Sequence, residues 1–134
     1  MMMMKMMGLL RWPLALGLAA NGLLMLLAPG AWYAGMPGVF YTGPLNEHFV
    51  RDIGCAYLVA AAGLLWRALQ PQRGAAAALM GAGFLLLHAG VHVWELATGR
   101  CGWGQFLRDV PGVPLAALAA QWLGWPEREL RHAR

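Results

Sequence analysis

Between Arg73 and Arg100 the chain carries one formal charge, Glu95, and this restricts the possible folds more than any motif does. Ala75 to Ala97 is rich in Ala, Gly and Leu. As an α-helix rising about 1.5 Å per residue, the run reaches across a bilayer core of about 30 Å. His88, His92 and Glu95 stand at i, i+4 and i+7 within it, so three polar groups share one helical stripe about 60° wide.

Three more runs have the same character: Trp12 to Ala28, Glu47 to Leu69, and a stretch from about Val110 to Trp125. With 60% apolar and 12% charged residues over 134 positions, the chain lies outside the composition of soluble domains of this size. The fold expected is all-α: one integral membrane domain, a four-helix bundle with helices at about 12–28, 47–69, 75–97 and 110–125. Residues 1–11 read as a Met-rich leader carrying Lys5 and Arg11. An alternative makes this leader and the first run a secretory signal cleaved near Ala28-Pro29-Gly30-Ala31, but a run near the lower length limit for a span, followed by further spans, favours retention. Gly, Pro and aromatic residues make 31–45 and 98–109 interfacial loops. Asn46 is placed to cap the second helix and Asp109 the fourth, with Pro111 in the fourth helix's first turn and Pro114 slightly deeper. Gln70-Pro71-Gln72-Arg73-Gly74 is a tight turn.

The net charge of +4 carries no nucleic-acid signal, because the basic residues lie between the apolar runs instead of clustering with aromatics. They act as topology signals. Lys5, Arg11, Arg67, Arg73, Arg128, Arg131 and Arg134 fall on one side, and Arg51, Arg100 and Arg108 on the other. The positive-inside rule then puts both termini in the cytoplasm, with His48, Asp52, His88, His92 and Glu95 toward the outer face. A short repeat agrees: Phe49-Val50-Arg51-Asp52-Ile53 returns as Phe106-Leu107-Arg108-Asp109-Val110. It suggests two helical hairpins related by a pseudo-two-fold axis.

Ionisable residues inside a membrane are costly unless paired, which marks the polar stripe as the candidate site. Two histidines at i, i+4 can reach one ion, and Glu95 can ligate or orient it. His48 and Asp52 from the second helix complete the expected metal set of His48, Asp52, His88, His92 and Glu95, suited to zinc, iron or copper. Cys55, and Asn21 of the first helix, fall near the depth of His88. A second reading sets haem between His48 and His88 or His92. A third takes a quinone, lipid headgroup or small anion, with Arg51, Cys55 and Arg108 lining the cofactor pocket and the histidines carrying protons. In the fourth, the polar groups only pair with one another, in an accessory or scaffold subunit that assembles as a homo-oligomer or in a larger membrane complex. No nucleophile, phosphate loop or dinucleotide fingerprint stands out, so catalysis is left open. Cys55 and Cys101 fall at different depths and are not expected to bridge.

The segment Asn46-Glu47-His48-Phe49-Val50-Arg51-Asp52-Ile53-Gly54, with Arg51 and then Gly54 opening the second of four short Ala/Gly-rich helices, resembles the DoxX-like group of small bacterial four-helix membrane proteins. The resemblance implies a bacterial inner membrane. Some members of that group resemble subunits of quinone-linked oxidoreductases.

Overall fold

The computed structural model describes residues 2–126, with side chains from residue 6 onward. The described residues are helical, with no strand among them: α1 (Met2–Leu27), α2 (Pro29–Gly35), a 3-10 turn (Val39–Thr42), α3 (Glu47–Leu69), α4 (Ala75–Ala97), α5 (Trp103–Asp109) and α6 (Pro114–Gly124). Among these residues three helical stretches are long and apolar enough to cross a membrane: Met6–Leu27, Glu47–Leu69 and Ala75–Ala97. The basic tail from Arg128 to Arg134 lies outside the described residues.

α3 and α4 occupy the residues that the sequence assigns to them, for local reasons. The Asn46 side chain accepts from the Phe49 backbone N–H at 3.1 Å, and Glu47 follows in the first turn, where its charge suits the helix dipole. The polar turn at 70–74 separates the two helices and is closed by the Gly74 N–H donating to the Gln70 carbonyl at 2.8 Å.

The first and last helices depart from expectation. α1 begins at Met2 and not at Trp12, so the stretch read as a leader belongs to the helix. The reason is tertiary: Met7 and Arg11 are buried, and Arg11 Nε donates to the Leu123 carbonyl at 3.0 Å. The fourth run is not one helix over 110–125. Residues 103–109, expected as loop, form α5, and α6 starts only at Pro114. Pro111 and Pro114 lack the N–H groups a continuous helix needs, so the segment breaks between them and resumes with Pro114 at the first position of α6. Asp109 accordingly ends α5 instead of capping α6.

α1 packs on α3, α3 on α4 and α4 on α6, which turns back toward α1. The buried residues are mostly small: Ala15, Ala60, Ala61, Ala78, Ala82, Ala89, Ala117 and Ala120, with Leu18, Leu64, Leu85 and Leu123 between them. Small side chains let backbones approach closely, and at the α1–α3 crossing Gly22 and Gly54 face each other. Leu9, Leu16, Val59, Met80, Leu87 and Leu118 point outward, so the outer surface is apolar as well.

α6 has 11 residues and is therefore about 16 Å long. Together with the turn before it, however, it runs beside most of α4. Gly124 lies against Ala78, and Asp109 meets His92. Those positions on α4 are 14 residues, or about 21 Å, apart. The bundle thus has a histidine end, where α3 starts and α4 stops, and an arginine end. At the latter Arg11 and Arg67 are both 2% exposed and donate to carbonyls at the end of α6, Leu123 and Trp125, each at 3.0 Å.

Candidate functional site

The i, i+4 spacing on α4 brings His88 and His92 together as the sequence implies, with ring centroids 5.0 Å apart and the planes almost perpendicular. One turn earlier Phe84 stacks on His88, and Tyr57 of α3 meets both rings edge-on. His88 therefore has one aromatic wall from its own helix and another from α3.

The partner of His92 comes from α5. Its Nδ1 lies 3.1 Å from Asp109 Oδ2, with the two side chains only 19% and 20% exposed. A carboxylate accepts hydrogen bonds, so the geometry suits Nδ1–H as the donor, and in the neutral imidazole of that tautomer Nε2 keeps its lone pair. Asp109 holds its place because the broken segment keeps helical bonds around it: the Val110 N–H donates to Phe106, and the Val113 N–H to the Asp109 carbonyl itself.

The other sequence candidates lie elsewhere. His48 and Asp52 pair with each other at 3.4 Å, 88% and 60% exposed, on one face of α3. Glu95 sits in the last turn of α4, and its charge acts on the Cys101 thiol in the following loop. That thiol is held above its ordinary value by desolvation first, and then by the negative charges of Glu95 and Asp109. Arg51 pairs with Glu47 at 3.0 Å and donates to the Leu26 carbonyl at 3.3 Å, tying α3 to the end of α1. Arg108 is exposed, donates to the Gly104 carbonyl at 3.2 Å and lies 6.0 Å from the Tyr41 ring. Cys55 is an exposed free thiol. Asn21 accepts from Trp32 Nε1 at 3.0 Å, which fastens α2 to α1. Among the described residues no three His, Cys, Asp or Glu side chains come together in a way that could hold a metal ion.

The two copies of the repeated pentapeptide are used differently. In the first, Asp52 pairs with a histidine one turn earlier on its own helix; in the second, Asp109 pairs with a histidine of another helix. Asp109 and Tyr57 are the site residues that sequence reasoning missed. The repeat was the available signal for Asp109, since it already sets an aspartate beside a histidine in its first copy. Tyr57 carried none, because a tyrosine inside an apolar run reads as core.

An apolar groove between α1 and α3, about 190 Å³ and lined by Ala15, Leu16, Ala19, Leu58, Ala61, Ala62 and Leu65, does not include the histidines. Comparisons with family models, with curated proteins and with solved structures give no match to this chain.

Proposed function

We propose that this is an integral protein of a bacterial inner membrane, with both termini in the cytoplasm, that holds a transition-metal ion at an open two-histidine site near the outer face. The observation that carries the metal reading is the 3.1 Å contact between His92 Nδ1 and Asp109 Oδ2. Metal-ligating histidines characteristically donate their second ring N–H to a carboxylate, which fixes the tautomer and turns the other nitrogen to the ion. The ring spacing supports it. An ion bound at about 2.0–2.1 Å lies roughly 3.2 Å from each imidazole centroid, so two imidazoles at a tetrahedral angle have centroids about 5 Å apart. His88 and His92 stand at 5.0 Å. The direct ligands of this reading are those two; Asp109 orients, Glu95, His48 and Asp52 take no part, and water or an incoming ligand fills the remaining positions.

The apolar outward surface and the three long apolar helices support the membrane reading. Its orientation rests on the positive-inside count of Lys and Arg along the sequence, and the bacterial inner membrane on the resemblance of 46–54 to DoxX-like proteins. Haem has no such support, since His48 pairs with Asp52 at the surface.

A second reading is favoured by the absence, among the described residues, of any three-ligand group: a non-catalytic membrane subunit in which Asp109 only braces α5 against α4. Metal analysis of detergent-purified protein after Co(II) loading separates the two. The metal reading expects about one ion per chain, lost in His88→Ala and His92→Ala and kept in His48→Ala. No Co(II) above the detergent blank in the wild-type protein overturns it and leaves the subunit reading.

A further inference from the structure

α5 stands apart from the other helices. It buries no residue, and its one side-chain hydrogen bond to the long helices among the described residues is the one that Asp109, its last residue, accepts from His92. α5 is joined to its neighbours by a glycine-containing loop on one side and a broken turn on the other. On the near side are Gly99, at φ +71°, and Gly102, and an added side chain would meet nothing within 4 Å at either. On the far side Pro111-Gly112 interrupts the helix before α6. The outer surface of α5 is apolar, with Trp103 69% and Leu107 61% exposed. Packing therefore contributes little to keeping α5 in place, and a partly buried charge-assisted hydrogen bond contributes a large share. The same bond sits at the histidine end of the site, on the imidazole nearer to the end of α4.

We propose that α5 is a hinged lid beside His92, latched by the hydrogen bond of His92 Nδ1 to Asp109 and swinging on its glycine and Pro-Gly flanks to admit a ligand to His92 and His88 from the outer face. The latch and the proposed metal site share one bond. A ligand that takes up His92 Nε2 raises the acidity of the Nδ1–H and strengthens its donation to Asp109, so filling the site tightens the lid. The inference rests on the metal reading only for the identity of the ligand; the latch itself is a property of the chain.

Two measurements on the full chain in detergent test it. The first is hydrogen–deuterium exchange over residues 103–109 without metal. Asp109→Asn and, independently, His92→Leu are expected to speed exchange there about tenfold while leaving 78–89 of α4 unchanged, and Asp109→Glu to retain most of the protection. The second is stopped-flow Co(II) binding. A lid held by Asp109 makes both association and dissociation faster in Asp109→Asn, whereas a residue that only orients His92 changes dissociation alone. Exchange over 103–109 that is the same in wild type, Asp109→Asn and His92→Leu overturns the lid. If Co(II) does not bind at all, the metal reading fails while the exchange measurement still decides the latch.

Discussion

The α1–α3 crossing gives the most quantitative handle on the fold. A Cβ added at Gly22 would stand 2.8 Å from the Gly54 carbonyl oxygen and 3.1 Å from Tyr57 Cβ; one added at Gly54 would stand 2.9 Å from the Gly22 carbonyl oxygen and 2.9 Å from Met25 Cβ. Ordinary contact begins near 3.5 Å, so either methyl group forces the two backbones apart by about 0.6 Å. Neither obstacle is the end of a flexible side chain, and overpacking of this kind costs about 1–3 kcal/mol. Gly22→Ala and Gly54→Ala should each destabilise by about 2 kcal/mol. Because both methyl groups load the same gap, the separation that accommodates one accommodates most of the other. The double variant should then lose about 3 kcal/mol and fall short of additivity by about 1 kcal/mol. Gly83→Ala and Gly90→Ala are the controls: nothing lies within 4 Å of an added Cβ at either, and helix propensity predicts a gain of about 0.5–1 kcal/mol. Reversible unfolding by SDS titration in mixed micelles, followed by tryptophan fluorescence and circular dichroism, reads all five variants. Unchanged stability in Gly22→Ala, or strict additivity in the double variant, would refute a shared backbone contact.

Two further predictions concern the loops and the arginine end. Removing the negative charge of Glu95 by Glu95→Gln takes away one of the influences that raise the Cys101 thiol, so the midpoint of its alkylation rate against pH moves down and labelling at pH 8 becomes faster; an unmoved midpoint would show that the carboxylate does not act on the thiol. Arg11→Met keeps the apolar stem but loses the charged donor to the Leu123 carbonyl, which should cost about 2 kcal/mol and speed amide exchange in the last turn of α6; unchanged exchange over 120–124 would count against the bond.

What could be read from the sequence, and what could not, follows the range of the interactions concerned. α3 and α4 are set by local chemistry, an asparagine cap at 46 and a polar turn at 70–74, and their bounds can be read residue by residue. The pairing of His88 with His92 is likewise local, being one helical turn. Arg11 misleads because a charge at the edge of an apolar run reads as a boundary, whereas its guanidinium is turned inward to a carbonyl 112 residues away. Glu95 misleads in the opposite sense. It shares the histidine stripe, but α4 ends at Ala97 and the loop that follows brings Cys101 within reach of its charge. Asp109 reads as a cap because Pro111 follows it, and only the docking of α5 reveals its contact with His92.

The same polar contacts explain how a helix of 11 residues keeps its place beside helices of 23. In the proposed membrane setting, apolar surface would supply little net drive for α6 to join α4, so small-residue packing and polar ties would have to supply it. The packing is there in the buried Ala117 and Ala120 of α6 and in Gly124 against Ala78 of α4. The ties are at both ends: Arg11 and Arg67 hold the Leu123 and Trp125 carbonyls at the end of α6, and Asp109, at the head of the broken turn, holds His92. Each guanidinium also answers the partial negative charge of the α6 C-terminus, which makes a buried arginine tolerable there. The short α6 and the oriented His92 are then one device. A continuous fourth helix would carry Asp109 as an N-cap engaged with its own backbone, and His92 would have no carboxylate behind it. The break at Pro111–Pro114 frees that carboxylate for α4, so the feature that shortens the last helix is also the one that brings Asp109 to His92.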